Sequence, residues 1–121
     1  MDAGPGKTSG EKEPAPRLLR LPRREVFGFG VPVAEGFRAR LLGLAGLEAD
    51  EAEPGLLIPR CASVHTFGMR FDLDLIFLDR AGRPLCVHLA VPPRRLVRHR
   101  KAAAVWELPS RQGGEFGARV T

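Results

Sequence analysis

The amino-acid sequence predicts a mainly β fold with one short α-helix in its N-terminal third. Two stretches carry that expectation. Phe71 to Phe77 alternates apolar side chains with period two, and Asp79-Arg80-Ala81-Gly82-Arg83 and a second apolar run, Leu85 to Val91, follow it, which is the pattern of a β-hairpin. Helical spacing instead joins Val33, Phe37, Leu41 and Leu44, with Glu35, Arg38 and Arg40 between them, so one amphipathic helix is expected over about 33–44.

The other elements follow in chain order. Residues 1–16 are rich in Pro, Gly, Lys and Glu and have almost nothing to bury, so they cannot offset their ordering entropy; a disordered tail is expected there, and a single domain over 17–121. Gly6-Lys7-Thr8 is not a phosphate-binding loop, because Met1 stands where the first glycine is needed and no strand precedes it. Val26 to Val31 reads as short strands punctuated by glycine. Gly43 or Gly46 ends the helix, an acidic turn-rich loop covers 48–55, and Leu56-Leu57-Ile58 is an apolar strand.

In the hairpin, Gly82 suits the left-handed bulge position of a type I turn that pairs Asp79 with Arg83. Counting inward from that pair puts Cys86 opposite Ile76 and His88 opposite Asp74, on the face away from the Phe71 to Phe77 stripe. Pro92 and Pro93 stop the return strand and open a basic stretch, Arg94, Arg95, Arg98, His99, Arg100 and Lys101, expected as a rigid exposed arm. Ala102 to Leu108 supplies a last strand, and Pro109 to Thr121 offers little to pack besides Phe116 and Val120.

Composition narrows the function classes. A chain of 121 residues with 44% hydrophobic and 27% charged residues can bury one core, and no apolar run is long enough to cross a bilayer as a helix. The first residues have no apolar core of a secretory signal, so a cytoplasmic location is expected, and the two cysteines are expected as free thiols. The net charge of +5 is carried almost entirely by arginine in a chain rich in Ala, Gly, Leu and Pro, a bias that GC-rich coding produces without any anionic partner.

The words Arg40-Leu41-Leu42-Gly43-Leu44, Gly55-Leu56-Leu57-Ile58, Cys61-Ala62-Ser63-Val64-His65-Thr66-Phe67-Gly68-Met69, Leu73-Asp74-Leu75-Ile76-Phe77-Leu78-Asp79, Gly82 and Glu107-Leu108-Pro109 occur here in that order. Together they resemble the domain-of-unknown-function 192 family of small bacterial and archaeal proteins, in its His-Thr-Phe-Gly-Met branch. Other members carry Trp-Met-Lys-Asn-Thr at that place, which speaks against a family-wide metal role for His65. Asp72 stands where a proline is usual, and the family's closing Gly-Asp is missing around Gly117-Ala118-Arg119-Val120. The resemblance implies a compact β-sandwich of jelly-roll type with a helical insertion. It also implies a pilus-assembly or envelope-related genetic context, and it assigns no activity.

Candidate chemistry concentrates between Cys61 and His88. Cys61, His65 and Met69 recur every four residues and share a face, and thiolate, imidazole and thioether suit zinc or copper, but the spacing matches no common zinc motif. A catalytic set drawn from Cys61 or Cys86, His65 or His88, and Asp74 lacks a nucleophile motif, and Asp74 between two leucines is readily structural. No metal, cofactor or catalytic residue is therefore assigned. The expected function is a non-catalytic binding or accessory module, monomeric by default. Its unknown protein or small-ligand partner would meet a surface of Cys61, His65, Thr66, Phe67, Gly68, Met69, Asp74 and His88. Any anion binding is assigned to Arg94, Arg95, Arg98, Arg100 and Lys101, with Trp106 as a neighbouring stacking group and nucleic acid as the less favoured partner. A Cys/His/Asp enzyme, a Cys/His metal protein and a basic nucleic-acid-binding protein are the alternatives.

Overall fold

The computed structural model describes residues 15–110. In chain order the elements are α1 (Pro16–Leu19), β1 (Arg23–Val26), β2 (Phe29–Pro32), α2 (Phe37–Leu42), a 3-10 turn (Ala49–Glu51), β3 (Leu56–Pro59), β4 (Ser63–His65), β5 (Leu73–Leu78), β6 (Pro84–Val91), β7 (Leu96–Arg98) and β8 (Ala104–Pro109). The fold is mainly β, as the alternating runs predict. A four-stranded sheet in the order β3-β8-β5-β6 forms the centre, and two ribbons, β1-β2 and β4-β7, accompany it; every one of these pairings is antiparallel.

All six residues of β5 are buried, because the sheet carries apolar packing on both faces. Leu73, Leu75 and Phe77 join Leu56, Ile58, Val105, Leu18 and Leu44 in one core. Ile76 and Leu78 join Leu57, Trp106, Leu108 and the β1-β2 residues Val26 and Val31 in the other. Period-two alternation thus sends successive side chains of one strand into two cores. Each fully buried Leu, Ile or Phe there contributes about 1.5–3 kcal/mol of transfer free energy.

The β5-β6 turn forms as expected. The Asp79 amide donates to Arg83 O at 2.9 Å, the Gly82 amide donates to Asp79 O at 3.0 Å, and Gly82 has φ 82°. The register beyond the turn differs from the count. Leu78 pairs with Pro84, Phe77 with Cys86, Ile76 with Val87 and Leu75 with His88, so Leu85 is an extra residue on β6. That one-residue bulge moves Cys86 and His88 onto the Phe77 side of the sheet, the reverse of the expected face. The His88 ring meets Phe77 edge-on at 5.7 Å. A second irregularity, between Leu73 and Leu75, leaves Ala90 at φ 54°.

The helix is shorter than its period suggests, since Val33 is extended and bridges Leu57, and Gly36 is the N-cap of α2. Sequence periodicity did not reveal α1. Ala15 and Pro16, placed by composition in the tail, belong to the fold: Ala15 is buried, its amide donates to Glu51 O at 3.0 Å, and Pro16 opens the helix. The expectations for residues 1–14 and for Phe116, Gly117 and Val120 lie outside the described residues. The basic stretch is pinned at its middle and is not a free arm, because Leu96, Val97 and Arg98 form β7 and pair with His65, Val64 and Ser63, while Arg94, Arg95, Arg100 and Lys101 flank the strand.

Candidate functional site

The loop after β4 is built around Thr66, whose side chain is completely buried. Its hydroxyl donates to Pro92 O and accepts from the Arg95 amide, both at 2.8 Å. The Thr66 amide donates to Arg95 O at 2.9 Å, and its carbonyl accepts from the Met69 and Arg94 amides. Thr66 therefore clamps the His65–Met69 turn to the segment after Pro92 and is not part of any surface. With Thr66 turned in, Phe67 is left 54% exposed, beside the His65 ring at 5.8 Å. The Phe67 amide donates to His65 Nδ1 at 3.3 Å.

Cys61, His65 and Met69 do converge. They line one small pocket of about 50 Å³ together with Val64, Leu41 and Leu42. Ser63, Gly43, Arg40 and Glu107 complete its wall. Glu107 lies on β8 opposite Leu56 and Leu75, on the same side of the sheet as Val105, and is 2% exposed. Its Oε1 is buried with no hydrogen-bond partner among the described residues. Burial pushes the carboxyl up from 4.5 to about 8, so the group is a neutral acid at pH 7. Gly43 makes room for it: a Cβ there would lie 3.1 Å from Oε1, and φ is 54°. Arg17 holds that turn in place by donating to Gly43 O at 2.9 Å and Ala45 O at 2.8 Å. Arg40, also in the pocket wall, spends its guanidinium on the carbonyls of Pro59 and Arg60. A parity count of β8 could have found Glu107, since it shares a face with buried Val105.

The other expected site residues lie elsewhere. Asp74 is 1% exposed, and its Oδ1 accepts from the Ala90 amide at 2.9 Å, so it braces the irregularity of β6 at Ala90. Cys86 Sγ lies 3.4 Å from His88 Nε2, but Asp74 is not bonded to either, and no Cys-His-Asp set forms. Trp106 cannot stack on a ligand, because it is 1% exposed, packs against Phe27 and Phe29, and donates from Nε1 to Pro54 O at 2.9 Å. Arg94, Arg95, Arg98, Arg100 and Lys101 are all exposed. Both cysteines are free thiols. Among the described residues, no three His, Cys, Asp or Glu side chains gather to hold a metal, and no helix is long and apolar enough to cross a membrane.

A family model described as "DUF192: Uncharacterized ACR, COG1430" matches residues 22–120. The chain belongs to the DUF192 family. Two solved structures are similar to this DUF192 chain. One is a protein of Sinorhizobium meliloti 1021 described as a "putative transcription regulator", 21% identical, with a TM-score of 0.63 over 73% of this chain and 74% of that one. The other is a protein of unknown function from Novosphingobium aromaticivorans DSM 12444, 19% identical, with a TM-score of 0.59 over 74% of this chain and 69% of that one. At these identities the likeness is one of fold. No curated protein matches the sequence. The DUF192 description carries no activity, and the function of this member is unknown.

Proposed function

We propose that this DUF192 protein is a non-catalytic cytoplasmic binding module whose site is the Glu107 pocket. Its ligand is an uncharged polar tip, a carboxamide or hydroxyl, on an apolar stem. The observation that carries this reading is the buried, unpartnered Oε1 of Glu107 in a pocket whose apolar wall is Leu41, Leu42, Val64 and Met69 and whose polar side includes Ser63 and His65. An unmet acceptor in such a place is costly unless a ligand satisfies it. A neutral carboxylic acid both donates and accepts, so it complements a carboxamide with two hydrogen bonds. Arg40 in the same wall disfavours an ammonium group, and a space of about 50 Å³ admits only the tip of a ligand. The stem then lies against exposed Leu41 and the outer atoms of the pocket.

Backbone amide shifts recorded during titration with butyramide test the reading, with n-butylammonium as the contrasting probe. Saturable shifts centred on Gly43, His65, Met69 and Glu107 are expected with butyramide at pH 6.5. They should be lost in a folded Glu107→Leu variant, and n-butylammonium should be at least about fivefold weaker, equivalent to about 1 kcal/mol. Butyramide shifts that persist unchanged in Glu107→Leu, or their absence in the native chain up to 100 mM probe, overturn it.

A further inference from the structure

Four segments far apart in sequence meet beside the β5-β6 turn: β1, the end of β3, the turn itself, and the residues leading into β8. Between them lies a cavity of about 730 Å³, lined by Arg24, Arg60, Arg80, Arg100 and Lys101 around a floor that includes Leu78 and Ala104. The linear basic stretch does not predict this grouping. Arg94, Arg95 and Arg98 are not part of the lining, while Arg24, Arg60 and Arg80 reach it from elsewhere.

Among the described residues none of the five cations has an ion-pair partner. Asp79 also lines the cavity: its Oδ1 accepts from the Ala81 amide at 2.8 Å and the Arg83 amide at 2.9 Å, and its single charge leaves the five cations in clear excess. Five like charges around one concavity repel one another, and a concave site concentrates their potential more than a flat surface does. Four guanidinium groups present planar donor forks suited to phosphate oxygens. The volume is that of a small-molecule site, and the charges surround a basin instead of following a stripe, which favours a compact polyanion over an extended strand.

We infer that this basin binds a phosphate-bearing small molecule of nucleotide size, independently of the Glu107 pocket. The phosphates meet Arg60, Arg80, Arg100 and Lys101, and the uncharged part lies on the apolar floor. The deciding comparison uses two triple charge reversals that change net charge equally: Arg60→Glu, Arg80→Glu and Arg100→Glu in the basin, against Arg94→Glu, Arg95→Glu and Arg98→Glu on the β4-β7 ribbon. ATP, inorganic tripolyphosphate and a twelve-nucleotide oligo-dT are titrated calorimetrically at 0.15 M salt, with far-UV circular dichroism as the fold control. Saturable binding of ATP and tripolyphosphate is expected, weakened about tenfold or more by the basin triple and less than about threefold by the ribbon triple. Arg→Gln versions of both triples should keep that order if the glutamate set disturbs folding. Equal weakening by both triples, no saturable binding of either polyphosphate up to 5 mM, or tighter binding of oligo-dT than of ATP overturns the inference.

Discussion

Glu107 makes stability depend on pH in a direction opposite to that of an ordinary salt-bridged carboxylate. Its carboxyl rises from 4.5 in the unfolded chain to about 8 in the fold, so between those values the folded chain holds a proton that the unfolded chain has released. The group therefore costs the fold least below about pH 4.5, and stability is lost progressively as pH rises to about 8. At about 1.4 kcal/mol per unit, the whole span is on the order of 5 kcal/mol. Urea unfolding at pH 5 and pH 8.5 should show a marked fall in the native protein and a much smaller one in Glu107→Gln. Parallel pH profiles for the two would remove the buried-acid assignment. At this scale the sequence was legible where identity and spacing coincided: Cys61, His65 and Met69 meet in one pocket because a four-residue recurrence survives the strand-to-turn change at Thr66. Glu107 was legible only through its parity with Val105 on β8, a weak signal because a charged residue in a short strand normally faces water; its three-dimensional neighbours show that it does not.

At the scale of elements, the hairpin separates what local sequence specifies from what it does not. Asp79 and Gly82 specify the turn through an acceptor side chain and a left-handed backbone position, and both are visible in five residues. Nothing lies within 4 Å of the position a Gly82 Cβ would occupy, so strain at φ 82° is the whole cost of a side chain there. Gly82→Val should lower stability by about 1 kcal/mol or more, read as a lower melting midpoint. An unchanged midpoint would contradict the turn assignment. The two β6 irregularities were not legible, because the Leu85 bulge depends on His88 and Cys86 finding room beside Phe77, and the one at Ala90 on Asp74 reaching its amide. Similarly, α1 escaped notice because four residues are too few to show a period; Leu18, 1% exposed, holds it through core contacts.

At the scale of the whole molecule, one sheet serves two cores, so neither core can loosen without disturbing the strands they share. Trp106, the single tryptophan, reports on the core containing Ile76 and Leu108, whereas far-UV circular dichroism reports on the strands as a whole. Thermal unfolding followed by the two signals should give one coincident transition; midpoints separated by more than about 3 °C would show that the cores come apart independently. The mainly β architecture was legible from alternation, but its assembly was not, because β3 and β8 pair over some fifty intervening residues that carry no mark of each other. The two irregularities in β6 have a further consequence. This strand closes the central sheet on one side, so its outer backbone groups are available to any passing extended segment. With Leu85 bulged and Ala90 turned to positive φ, those groups no longer form a straight ladder, and the edge is a poor template for adding a strand from another molecule. The same distortions that reposition two side chains thus also guard an open sheet against runaway self-association.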